Sequence, residues 1–507
     1  MNDDDDLPLL LLLSLLLLLL NNVDATTTNT PDNPYTIYQH LSTKTPYWIP
    51  PVGVNGTTDT PQPPPGCQLG RIDLLARHGS RNPVASNIAS LETLSTTLQP
   101  YAANITEQYQ WILNWTVPYP VDEAGLLILQ GQYEHYNISK RFLQRQPGYF
   151  QPYQPFIYDL SATCVSRTGI SGGSFMYGLF ENVGQLGPQR FQPVFIDIQS
   201  CDQDNLLRFF DTCQSYNTLI DLGDINDNEV AKYNNLTFGT VSNNIATKLG
   251  LQNIMDPTNK LVSNMYQACS YDLSIFNITD RWCSLFSEED ILTLEYSQDL
   301  SNYWMKSYGY LNNYIIASSL FQDMISGLDQ YIANPTANNA TNAMRFAHAE
   351  TVIPFVTLLG LYQDPFKLTA NLTAQQISNR LWRSSIISPY AANIAFYLFN
   401  CGDDQYKIRV DHNEVGVLIP GCDDLYCNYT LFKSLFPEAM AFNWTTYCSP
   451  SSNNNGNSCN KSEDAYKIYL GTFIPVAFVV GTLAGALTII FFKKNDQTKI
   501  PYRQVHS

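Results

Sequence analysis

Apolar positions in this chain fall into three patterns. At each end they run together almost without a break. Residues 7–20 read LPLLLLLSLLLLLL and residues 469–492 read YLGTFIPVAFVVGTLAGALTIIFF. Between the ends they gather in shorter groups. Leu69, Ile72, Leu74, Leu75 and Ala76 make a brief apolar run that stops at a turn, as a buried strand does. Residues 121–145 and 167–182 read as helices, and residues 343–361 as a short strand followed by an apolar helix. Roughly 200–335 is polar and aromatic over long stretches, which suits helices and loops inserted into an α/β core. The expected fold is therefore α/β: a mostly parallel central sheet flanked by helices, a mainly helical inserted domain, and one C-terminal transmembrane helix. No internal repeat is visible.

The terminal runs set the expected topology. Fourteen residues are too few to span a ~30 Å hydrocarbon core but suit a signal peptide. Val23 and Ala25 place small residues for cleavage after Ala25, although Asp3–Asp6 make the preceding region acidic rather than basic. The 24 uncharged residues of 469–492 are long enough to span, and Lys493 and Lys494 follow at once. Lys499 and Arg503 add to them against Asp496, so the tail 493–507 should face the cytosol. The chain then reads as a single-pass type I membrane protein whose ectodomain is extracellular or lumenal. Residues 26–66, rich in Thr, Pro and Asn, read as an extended lead-in; 67–448 as the ectodomain proper; and 449–468 as a polar stalk.

Cysteine and asparagine usage agrees with secretion. All 11 Cys lie between Cys67 and Cys459 without paired zinc-type spacing, which favours disulfides. Eleven is odd, so at least one thiol is free or pairs between chains. Eleven N-x-[ST] sequons occur, at Asn55, Asn104, Asn114, Asn137, Asn235, Asn277, Asn339, Asn371, Asn428, Asn443 and Asn460, marking a glycoprotein. The formal net charge is −17, from 45 acidic and 28 basic residues, which argues against nucleic acid as a partner. The same balance argues at first against any polyanion.

The segment Leu74-Leu75-Ala76-Arg77-His78-Gly79-Ser80-Arg81-Asn82-Pro83 points the other way. Two arginines flank a histidine at a strand end, where α/β sheets bind ligands, with Pro83 placed as the first residue of a helix. Arginine offers a planar fork of donors that fits phosphate oxygens. A histidine among them can attack phosphorus and carry the phosphoryl group. Gly79 leaves room for a backbone carbonyl to orient the imidazole and free its other nitrogen.

The pattern RHGxRxP resembles the histidine acid phosphatase signature. Arg167 opens Arg167-x3-Ser171-x3-Phe175-x2-Gly178-Leu179, which matches that family's second block. His348-Ala349-Glu350 stands where most of the superfamily has His-Asp, and resembles the multiple inositol polyphosphate phosphatase branch. Trp382-Arg383-Ser384-Ser385, Pro389 to Asn393, Phe399 to Cys401 and Ile408-Arg409-Val410-x2-Asn413-Glu414 resemble the same branch, so the likeness runs from about Gln68 to about Phe436.

The resemblance implies hydrolysis of inositol polyphosphates (inositol hexakisphosphate and lower, with 2,3-bisphosphoglycerate a further candidate) through a phosphohistidine. His78 is the nucleophile. Arg77, Arg81, Arg167 and His348 hold the phosphate oxygens. Glu350, protonated at the start, gives a proton to the leaving alkoxide and then activates water. No metal and no cofactor is implied. One position departs from the branch: Val165 replaces the lysine usual two residues before the second-block arginine, which bears on selectivity for the most phosphorylated inositols. His135, Lys140, Arg141 and Arg145 are candidates to line the pocket; the alternative is a solvated helix face. Tyr502-x-x-Val505 fits a tyrosine-based sorting signal and predicts an adaptor as partner and cycling between surface and endosomes toward lysosomes. Two other readings stay open: a broad lysosomal-type acid phosphatase, and an inactive glycosylated surface receptor.

Overall fold

A computed structural model describes residues 36–48, 63–221, 224–335 and 342–448. The leader, the stalk, the apolar run 469–492, the tail with Tyr502, and Cys459 all lie outside these residues. Among the described residues no helix is long and apolar enough to cross a membrane.

The element order is β1 (Gln68–Arg77), α1 (Ala85–Leu98), α2 (Leu129–Arg145), β2 (Tyr158–Ala162), α3 (Ser166–Leu179), β3 (Asp197–Ile198), then the helices α4 (Asp224–Leu249), α5 (Asn259–Phe276), α6 (Glu288–Lys306) and α7 (Ser318–Ala333). There follow β4 (Asn342–Ala347), α8 (Ala349–Leu358), β5 (Asn393–Asn400), β6 (Tyr406–His412), β7 (Val415–Val417) and β8 (Cys427–Asn428). Shorter helices fill the connections.

The strands form one sheet in the order β3-β2-β4-β1-β5-β6-β7, with β8 beside β6. Pairing is parallel from β3 to β1 and antiparallel from β1 onward. The sheet is thus mixed, where a mostly parallel one was expected. Apolar content alone does not distinguish the two, because β5 is as buried as β1. Along β1 the side chains alternate. Ile72, Leu74 and Ala76 join a core under α2 and α3. Leu75 points to the opposite core, which α7 and α8 cover. Asp73, on that second face, is fully buried between Arg71 (2.5 Å) and Arg345 (2.9 Å).

The predicted helices are shorter than their apolar patterns. Residues 121–128 are not continuous with α2, because Gly125 turns at φ +72° and Leu127 bridges to Arg81. The next predicted helix ends at Leu179, with Asn182 left-handed just beyond. Helix α1 begins at Ala85, not Pro83, whose carbonyl instead accepts from the Gly125 amide at 2.8 Å. The helices α4–α6 build a core of their own together with α1.

Residues 36–48 are not a loose lead-in. They form two 3₁₀ turns, and Leu41, Ser42 and Thr45 are almost completely buried. Tyr266 donates to the His40 carbonyl at 2.8 Å, the Ser42 and Ser384 hydroxyls share a bond of 2.7 Å, and Tyr47 donates to Glu414 at 2.7 Å. The Thr-, Pro- and Asn-rich surroundings hid this strap, which these hydrogen bonds hold together with Leu41 and Ile37 against the helical core and Tyr47 against the core under the sheet. Ten cysteines pair among the described residues: Cys67–Cys401, Cys164–Cys201, Cys213–Cys448, Cys269–Cys283 and Cys422–Cys427.

Candidate active site

Strands β1, β4 and β2 are parallel neighbours, so their carboxyl ends open on one edge. Each strand delivers a polar residue there. His78 follows β1, His348 follows β4, and Thr163 follows β2. The His78 amide donates to the Ala347 carbonyl at 2.9 Å, which locks the first two loops together. The two imidazoles end 5.5 Å apart, centre to centre.

Nδ1 of His78 donates to the Gly79 carbonyl at 2.9 Å, so Nε2 keeps the lone pair. Burial, then Arg77, Arg167, His348 and Arg81, hold this imidazole neutral far below the usual histidine range. Gly79 is required for a further reason. A Cβ there would lie 2.3 Å from the Gly131 carbonyl of α2. That close approach lets Glu134, also on α2, accept from the Ser80 amide and hydroxyl, both at 2.7 Å.

Helix α2 is therefore a support. His135 is fully buried, and its Nε2 donates to the Arg77 carbonyl at 3.0 Å. Lys140 pairs with Glu181, and Arg141 and Arg145 both pair with Glu414. All four are thus committed to neighbouring groups of the fold: His135 to a backbone carbonyl, and Lys140, Arg141 and Arg145 to carboxylates.

The arginines singled out in the sequence do converge. Arg77 is anchored through Nη1 by the Thr43 and Ser388 carbonyls, at 2.6 and 2.7 Å, and its guanidinium lies 4.5 Å from the centre of the Tyr390 ring. Arg81 donates to the Asn82 carbonyl at 2.8 Å. Arg167 is pulled down to about 10, first by burial and then by Arg81. Among the described residues neither Arg77, Arg81 nor Arg167 forms an ion pair, and their buried Nε atoms bond to no protein group. Three unpaired guanidiniums beside a neutral imidazole are a receptor for a tetrahedral anion.

His348 is held at both nitrogens. Nε2 contacts the Thr163 hydroxyl at 2.9 Å and Arg208 at 3.3 Å, and Nδ1 contacts Arg167 at 3.4 Å. Arginine can only donate, and a neutral imidazole accepts at one nitrogen. Arginine donors thus face both nitrogens, and the Thr163 hydroxyl can give or take the bond at Nε2. Burial first, and Arg167 second, lower this histidine to about 3, so the imidazole is neutral.

Glu350 sits in the first turn of α8, two residues past His348, with its side chain 40% exposed toward the cleft. Lys306, the last residue of α6, pairs with it at 2.9 Å. Burial pushes the carboxyl up, but the Lys306 ammonium outweighs it and holds the group well below the usual carboxylate range. The contact favours the ionised form in the empty cleft, where the resemblance implied a protonated start. Tripeptide motifs do not reveal the lysine responsible, which lies 44 residues upstream.

A model of the histidine phosphatase superfamily, branch 2, matches residues 68–413. The chain belongs to that family. A multiple inositol polyphosphate phosphatase 1 of Dictyostelium discoideum is 42% identical, over 91% of this chain and 86% of its own length. That of Gallus gallus is 29% identical over 74% and 83%. Among solved structures, a phytase from D. castellii superimposes with a TM-score of 0.69 at 18% identity, covering 89% of this chain and 96% of that one. A Bifidobacterium longum multiple inositol polyphosphate phosphatase, in complex with inositol hexasulfate, gives 0.61 at 18%, covering 78% and 97%. These last two support the fold.

Within this histidine phosphatase three cations of the cleft escaped the motif reading. Arg208 comes from the start of the insertion, and Lys306 from the end of α6. Lys44 comes from the strap, and no motif embraces it. Residue 165, the position of the missing lysine, is the cap of α3 and carries no charge. Among the described residues no group of His, Cys, Asp and Glu is arranged to hold a metal ion.

Proposed function

We propose that this chain hydrolyses inositol polyphosphates, removing phosphate through a covalent intermediate on His78. The observation that carries the reading is the cluster of cationic side chains without carboxylate partners. Arg77, Arg81 and Arg167 suffice for one phosphoryl group, and Lys44 stands beside them, also without an ion pair among the described residues, while Arg208 and Lys306 at the same cleft are held by Asp211 and Glu350. The names of its relatives support the same substrate class.

In the first step Nε2 of His78 attacks phosphorus in line, and the bond to the inositol oxygen breaks. The arginines and His348 stabilise charge on the equatorial oxygens. The leaving alkoxide needs a proton. Glu350 acquires it when substrate binds: each negative charge brought within ~5 Å costs a carboxylate about 3 kcal/mol at an effective dielectric of ~20, more than two pKa units. Having given up that proton, Glu350 is the base that takes one from water as the Nε2–P bond is cleaved.

Lys306 sets the pH range of this exchange. It holds Glu350 down, so Lys306→Met should let the carboxyl rise toward its ordinary value. The carboxylate needed in the second step would then be lost at a higher pH. We expect the acid limb of the kcat profile to move up by roughly one unit or more, while the alkaline limb stays. An unmoved acid limb would show that Glu350 is not the group titrating there.

The proposal is tested by turnover of the full-length protein in detergent on a panel of esters from pH 3 to 8, with and without chelator. Inositol hexakisphosphate should exceed a simple aryl phosphate in kcat/KM, and chelation should change neither. Equal values for the two esters would favour a broad acid phosphatase.

A further inference from the structure

Lys44 is the last residue of the second 3₁₀ turn in the strap, in a segment where nothing in the sequence suggested chemistry. Its neighbours fix it. The Thr43 carbonyl accepts from Arg77 at 2.6 Å, and the Thr45 carbonyl accepts from the Tyr390 amide at 2.9 Å. Residue 44 is thus tied on both sides to groups that flank the nucleophile. Its ammonium lies 5.8 Å from the centre of the Tyr271 ring, and Tyr271 also bonds to Arg81. Among the described residues Lys44 makes no ion pair. Burial first, then Arg81, Arg77 and Lys306, disfavour its charged form in the empty cleft. An anion brought beside it would restore that form and gain a charged partner.

The phosphate undergoing transfer does not need this group, since three arginines and His348 already surround it. We infer that Lys44 engages a second phosphate of the substrate, one that is not transferred, and so favours polyphosphorylated rings over simple monoesters. The inference rests on the function proposed above and adds the residue that reads the neighbouring phosphate. It also supplies from the strap a charge that position 165 does not.

The decisive experiment compares kcat/KM of the full-length wild type, Lys44→Met and Lys44→Arg on inositol hexakisphosphate and on p-nitrophenyl phosphate. Methionine keeps the stem beside Tyr271 and removes only the charge. The inositol ester should lose tenfold or more with Lys44→Met, the aryl ester less than twofold, and Lys44→Arg should restore most of the difference. Equal losses on both esters would overturn the inference, because Lys44 would then act on the transferred phosphate or on the fold. No loss on either would overturn it too. A wild type with no preference for the inositol ester would instead sink the underlying substrate reading, and this inference with it.

Discussion

Replacing His78 with alanine should abolish turnover, lowering kcat on the order of 10⁴-fold or more. The size of the effect follows from the geometry. Nε2 of His78 keeps its lone pair beside Arg77, Arg81 and Arg167, on an imidazole held neutral far below the usual histidine range. His348 cannot replace it, because Thr163 and Arg208 occupy its Nε2. The variant should still fold, since the Gly79 carbonyl and the Ala347 contact are backbone features. It should also still bind inorganic phosphate, because Arg77, Arg81 and Arg167 remain. Isothermal titration with phosphate, alongside turnover, checks both halves. Residual turnover within tenfold of wild type would refute the covalent route.

The second large effect is expected of Glu350→Gln. Glutamine is isosteric but takes no proton at the pH of reaction, so water attack on the phosphohistidine should slow by roughly 10²–10⁴-fold. The choice of substrate separates the two steps. An aryl phosphate has a phenolate that leaves without a proton, so the first step should survive. Rapid mixing should then show a burst of phenol equal to the enzyme present, followed by a near stop. On an inositol ester, whose alkoxide needs protonation, no burst should appear. Steady release of phenol and phosphate together at the wild-type rate would contradict the base role of Glu350.

Much of this site was legible in the sequence because its key parts are local. Arg77, His78, Gly79 and Arg81 sit within five residues, and the strand before them is an apolar run with a clear end. His348 and Glu350 are legible for the same reason. What stayed hidden was assembled from distance. Lys306 reaches Glu350 across 44 residues, Arg208 reaches His348 across 140, and the Thr43 carbonyl reaches Arg77 across 34. No period or spacing encodes such contacts. Neither reading offered for the candidates on α2 named their partners, for a related reason. Glu414, which binds Arg141 and Arg145, lies 273 residues beyond Arg141, so their charge looked uncommitted. The antiparallel half of the sheet was missed because burial on both faces removes the alternation that marks strand direction.

The global charge of −17 also reads differently beside the structure. The surface is acidic, but the cleft gathers cations from the strap, two strand ends and the insertion. Net charge then governs approach rather than occupancy, and beyond ~8 Å at physiological salt it is largely screened.

One small feature bears on the chemical identity of the expected intermediate. Nδ1 of His78 is committed to the Gly79 carbonyl, which leaves the distal nitrogen for the phosphoryl group. The adduct expected on the proposed route is therefore the tele isomer of phosphohistidine, not the pros isomer. Its phosphoramidate bond is labile to acid and survives base. A conventional acid quench would erase the intermediate, whereas alkaline quenching and an isomer-selective antibody would preserve and recognise it.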